Sequence, residues 1–123
     1  MSRKIFIDVF FDQFISFINE LKQMYPEDTD FNTFLTTLNL LKNTNPMLVV
    51  NYIKSEVIDI YEDKITTRDE TFFLEQNYSY KNADMNIIYK LKEYVKGMSP
   101  ASKEVVWQYI DLLMKLCIKI IES

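Results

Sequence analysis

The sequence predicts an all-α fold: a single compact, irregular bundle of about five helices over residues 1–123. Three observations carry this. One glycine and three prolines in 123 residues leave too little turn chemistry for a sheet and enough punctuation for a few long helices. Apolar residues recur at three- and four-residue steps across most of the chain. Hydrophobic residues make up 48% and aromatics 15%, enough for one domain that buries roughly two-thirds of its unfolded surface.

The first helix is expected from Ser2 or Lys4 to Met24. Ile7, Phe10, Phe14, Phe17, Ile18 and Leu21 form one stripe, and Phe6, Phe11 and Ile15 widen it, so the helix is embraced on two sides. Pro26 restricts Tyr25 and stops it. The segment Glu27 to Asp30 supplies cap residues for a second helix that turns Phe31, Phe34, Leu35, Leu38 and Leu41 inward.

Asn43-Thr44-Asn45-Pro46 reads as a stop and a restart, with Asn45 as N-cap and Pro46 in the first helical position. The third helix then runs to about Asp63. Its β-branched content suits a strand, but about 17 residues without a period of two exceed one. Residues 64–82 are expected to be a longer, aromatic-rich connection, with Thr71 to Glu75 as one helical turn. A fourth helix follows from about Asp84 to Lys96, closed by Gly97 as a left-handed cap. Ser99-Pro100 opens a fifth that reaches almost to the end. The first and last helices, the longest and most apolar, are expected at the centre.

Charge and composition narrow the function. The net charge of −4 opposes a main role in neutralising nucleic-acid phosphates. It is unevenly spread: residues 1–80 carry 7 basic and 13 acidic side chains, and residues 81–123 carry 7 and 5. There is no histidine and one cysteine, so no intramolecular disulfide, no activated Cys117 nucleophile and no cofactor are expected. Too few glycines exist for a phosphate loop. Asp8 and Asp12 interrupt the N-terminal apolar stretch, so neither a signal peptide nor a membrane span is expected.

Candidate sites are few. Glu27, Asp28 and Asp30 read as helix-start carboxylates rather than a calcium loop, which needs a central glycine. Glu56, Asp59, Glu62 and Asp63 read as a solvated face rather than an acid–base pair. Phe72, Phe73, Tyr78 and Tyr80, with Trp107, either plug the bundle or stand out as anchors for a protein partner. Lys90, Lys92, Lys96, Lys103, Lys115 and Lys119, with nearby tyrosines, suggest a basic groove for single-stranded nucleic acid. Scarce arginine and the acidic balance argue against it.

The strings YPEDTDF (Tyr25 to Phe31), FFDQFISFINEL, LLKNTNP (Leu40 to Pro46) and FFLEQNYS (Phe72 to Ser79) together resemble small proteins of nucleocytoplasmic large DNA viruses, including algal and giant amoebal viruses. That resemblance implies a setting, virion or host cytoplasm, and no active-site residue. The expected function is therefore non-enzymatic protein–protein interaction by a viral protein, as a minor virion or assembly component. Its partner would be a viral structural protein, a host protein or a second copy. The alternative is a regulator of host or viral transcription that touches nucleic acid through the C-terminal lysines. A carboxylate-dependent metal hydrolase is the third reading.

Overall fold

The computed structural model describes the backbone of residues 3–75 and 86–123, and the side chains of residues 3–72 and 90–123. Among the described residues there are helices and no strands: α1 (Arg3–Met24), α2 (Asp30–Thr44), α3 (Pro46–Ile53), α4 (Asp59–Thr66), α5 (Glu70–Glu75), α6 (Asn86–Lys96) and α7 (Pro100–Glu122). A π-helical turn, Lys54–Ile58, joins α3 to α4. The third helix expected from sequence is thus one rod with a wider turn in its middle, and it continues to Thr66 rather than Asp63.

The expectation for the first and last helices holds. Helices α1 and α7 lie antiparallel: the Arg3 guanidinium donates to the Ser123 carbonyl at 2.8 Å, and Phe17 stacks on Tyr109 at 5.1 Å between ring centroids. Phe10, Phe11, Phe14, Phe17, Ile18 and Leu21 of α1 are all buried, because α1 is covered by α7 on one side and α2 on another. Edge-to-face contacts of Phe10 with Phe11 and Phe14 fill this centre in the geometry that ring quadrupoles favour. Burial of six large apolar side chains, each about 1.5–3 kcal/mol, makes α1 the main source of cohesion.

Helix boundaries follow local chemistry with one exception. Pro46 occupies the start of α3 and Asn45 caps it through backbone geometry, without a side-chain cap bond. Ser99 caps α7, its Oγ accepting from the Ser102 amide at 3.2 Å. Asp69 caps α5 by accepting from the Phe72 amide at 3.0 Å. Gly97 corrects the sequence reading: it has no positive φ and is not a left-handed cap. The end of α6 tightens instead, Gly97 and Met98 donating to the Tyr94 and Val95 carbonyls, which turns the Met98 side chain into the core. Among the described residues, the one with a left-handed backbone is Arg68, with φ 52°. Asp69 and Arg68 amides bond to the Lys64 and Ile65 carbonyls, the pairing of a Schellman end.

Candidate functional site

Among the described residues, an apolar cleft of about 310 Å³ lies between α2 and the α3–α4 rod. Both helices spring from the Asn45-Pro46 junction and diverge, so the space between them is backed by α1 and α7. Phe34, Leu38 and Leu41 of α2 line one wall, and Leu48, Ile53, Val57 and Tyr61 the other. Phe10, Phe14 and Ile18 of α1 and Ile110, Leu113 and Met114 of α7 form the back. Leu91 of α6, Ile65 and Trp107 complete the lining.

The π turn shapes this wall. An extra residue in one turn shifts the phase of the helix, so Ile53 before the turn, Val57 within it, and Tyr61 and Ile65 after it share the cleft. Lys54 and Asp59 pair across the turn. Their five-residue spacing suits the wider winding, whereas an α-helix brings together residues three and four apart. Polar atoms add little inside. Thr37, at the rim, already donates its hydroxyl to the Thr33 carbonyl at 3.1 Å, a back-bond that α2 repeats at Thr36, Asn39, Asn43 and Thr44.

Exposure varies within the lining: Ile65 and Trp107 are each 7% exposed, whereas Leu48 is 54% exposed and Thr37 is open to solvent.

The residues singled out from sequence fare differently. Trp107 is buried and lines the cleft, which removes it from the exposed anchors: the α7 stripe turns it inward. Phe72 is half-buried, edge-on to Tyr61 at 6.2 Å and beneath the Lys64 ammonium at 4.7 Å. It fastens α5 to α4. The side chain of Phe73, and Tyr78 and Tyr80 entirely, lie outside the described residues.

Of the acidic cluster, Asp28 and Asp30 converge on Lys90 at 2.7 and 2.6 Å. Asp28 also accepts from the Tyr94 hydroxyl and from the Asp30 amide at 3.0 Å, and Tyr94 stacks on Tyr25 at 3.8 Å. Burial pushes the Asp28 carboxyl up, but hydrogen bonds from Lys90, Tyr94 and Asp30 outweigh it and hold it below the usual range. Burial opposes the charge on Lys90 too, yet both carboxylates keep it above its ordinary value. The bond to Asp28, then burial, raises Tyr94. This is a clasp between the α1–α2 link and α6. Among the described residues no group of three or more His, Cys, Asp or Glu side chains is placed to hold a metal ion.

The lysines of the basic-groove reading are largely committed within the chain. Lys90 is in the clasp, Lys96 meets Glu93, Lys103 meets Glu70 and Lys115 meets Asp111. Lys119 lies over the Phe6 ring at 5.8 Å. Cys117 is buried, its Sγ 3.4 Å from the Val50 carbonyl oxygen, and burial pushes its thiol up to about 11. It packs α7 against α3, as a small apolar residue would.

Fold and site together define an all-α bundle built around an apolar cleft, with no helix among the described residues long and apolar enough to cross a membrane. No protein-family model, curated protein or solved structure matches the chain.

Proposed function

We propose that this chain is a non-enzymatic binding module whose receptor is the cleft between α2 and the α3–α4 rod. The observation that carries the reading is the cleft itself: about 310 Å³, lined mainly by aliphatic and aromatic side chains, with Leu48 and Thr37 open to solvent. Such dimensions fall at the lower end of ligand pockets, roughly 300–1,000 Å³. Apolar cavities about half that size take up small hydrocarbons. A lining dominated by aliphatic and aromatic side chains favours binding an apolar surface.

The setting we propose follows the sequence resemblance: virion or host cytoplasm, in a viral protein, with a viral structural or host protein as the neighbour it serves. Contact through Phe72 is less favoured, because its ring is committed to Tyr61 and Lys64. The nucleic-acid alternative is weakened by the intramolecular partners of the C-terminal lysines.

Titration with the neutral fluorophore N-phenylnaphthylamine tests the reading. Saturable, one-to-one enhancement of its emission by the folded protein is expected, with a rise in Tm as binding stabilises the native state. No enhancement with the folded protein overturns it.

A further inference from the structure

We infer that the outward face of α2 binds a second copy of this chain, the two α2 helices lying antiparallel about a two-fold axis at Thr36 and Leu40. The inference stands apart from the cleft, which draws on Phe34, Leu38 and Leu41 on the other side of α2.

Charge marks the face. Residues 31–53 hold one charged side chain, Lys42, in a sequence that is 26% charged. Lys42 turns toward α1, where it meets Asp12 at 3.5 Å. From Phe31 to Thr44, what α2 shows to solvent is therefore neutral: Thr33, Thr36, Asn39, Leu40, Asn43 and Thr44 are exposed, and Leu40 is 60% exposed. Depletion of charge, more than bulk hydrophobicity, is the compositional mark of an interface centre. Helix formation does not account for the choice. Thr and Asn are poor helix formers, and exposed helix positions that pack against nothing favour Glu, Lys, Gln and Ala.

Covering the face strands little. The Thr36 and Thr44 hydroxyls donate to the Asn32 and Leu40 carbonyls at 3.0 and 2.8 Å, so an apolar contact leaves neither proton unpaired. The Asn39 and Asn43 amides donate to the Leu35 and Asn39 carbonyls. Each keeps a second N–H and its oxygen to exchange across a contact.

Neutrality selects the occupant. In an isologous contact each side chain near the axis meets its own kind, so a charged face would set like charges together. A face for an acidic or basic partner would carry the opposite sign, and this one carries neither. A chain of net charge −4 meets itself at least electrostatic cost where its surface is uncharged. Thr36 and Leu40 flank the middle of Asp30–Thr44 on the outward side, which places the axis there. The antiparallel arrangement opposes the two helix dipoles. The face is about 22 Å long and about 10 Å wide, well below the roughly 800 Å² per partner of stable complexes. The dimer is therefore a weak one.

Sedimentation velocity from about 10 µM to about 1 mM protein should show a monomer–dimer equilibrium that added salt does not weaken, since no charge lies in the contact. Thr36→Glu and Thr36→Lys, each a better helix former than the parent residue, should each raise the dissociation constant at least about 10-fold. An equimolar mixture of the two variants should restore dimers, now with opposite charges across the axis. Ser16→Glu adds the same charge on the exposed side of α1 and should change the constant less than about 2-fold. Amide NMR shifts of the unaltered chain should move with concentration along α2, which decides the matter if a Thr36 variant fails to fold.

A monomer at every concentration overturns the inference, whatever other protein the chain takes up. So do dimers that dissociate as salt rises, equal weakening by Ser16→Glu and Thr36→Glu, or a mixture of the charged variants that stays monomeric. Concentration-dependent shifts confined to another surface overturn it as well.

Discussion

Lys90 reaches from α6 to Asp28, 62 residues earlier, and closes on its carboxylate at 2.7 Å while the Tyr94 hydroxyl donates to the same group. The pair fixes α6 to the start of α2, an attachment that no hydrophobic periodicity specifies. It also makes stability depend on pH at both extremes. The Asp28 carboxyl is held below its usual value of 3.8, so its contribution is complete above that value and is lost as pH falls through the folded-state value. Lys90 and Tyr94 are raised above 10.5 and 10.0, so theirs is complete below those values and fades as pH rises through the folded ones.

Asp28→Asn should therefore destabilise the protein by about 1–3 kcal/mol near neutrality, the scale of a hydrogen bond to a charged group. Urea titrations would measure this. The gap to the parent should shrink at pH values below 3.8, where the parent's own carboxylate is protonated. A gap that stays constant into strong acid would show that the Asp28 charge contributes nothing.

Cys117 supplies a reporter of opening. Its thiol is buried and pushed up to about 11, so a disulfide reagent at mildly alkaline pH meets little thiolate and no access. Labelling of native protein should be slower than that of urea-unfolded protein by about 10³–10⁶, the reciprocal of typical unfolded fractions. Stopped-flow absorbance reads both rates. Comparable rates would mean that α7 leaves α3 without global unfolding.

Trp107 and Phe72 should separate when truncated. Trp107→Ala removes a buried ring and should cost about 3–5 kcal/mol. Phe72→Ala, at a half-buried ring, should cost well under that, with association measured by ultracentrifugation unchanged. A larger loss at Phe72, measured by thermal or urea unfolding, would reverse the assignment of core and periphery.

Arg68→Gly should raise the stability by up to about 1 kcal/mol, because the left-handed conformation at φ 52° costs a side-chain-bearing residue roughly 1–2 kcal/mol. The substitution also deletes the exposed pairing of Arg68 with Glu104, and pairs of that kind add little. A clear fall in Tm would show that the pairing, not the backbone, dominates at this turn.

The comparison of sequence and structure divides along physical lines. Stripes such as Phe10, Phe14, Phe17 and Leu21 were legible because each position needs only its own helix to define it. So were Pro46 and Ser99, whose chemistry acts within one turn. Gly97 was misread because glycine permits a positive φ without requiring one. The buried Met98 settles that turn by pulling the chain into a tight end, and Arg68 takes the left-handed role with no sequence signal. The cleft was not legible. Its walls are the same stripes that announce a core, and a stripe does not reveal whether the facing helices meet or diverge. The partner of Lys90 was equally hidden, since a contact across 62 positions leaves no local pattern; the five-residue Lys54 and Asp59 spacing was visible but means little until the helix is known to widen there.

The wide turn at Lys54–Ile58 carries one more implication. An α-helix advances about 100° per residue, so deleting a single amino acid there would restore regular winding without changing the angular face of everything downstream. Deletion elsewhere in the rod would swing Tyr61 and Ile65 away from their neighbours. The segment is thus a built-in tolerance for a length change, a place where evolution or an engineer can shorten the protein by one residue and retune the width of its interior while leaving the rest of the architecture in register.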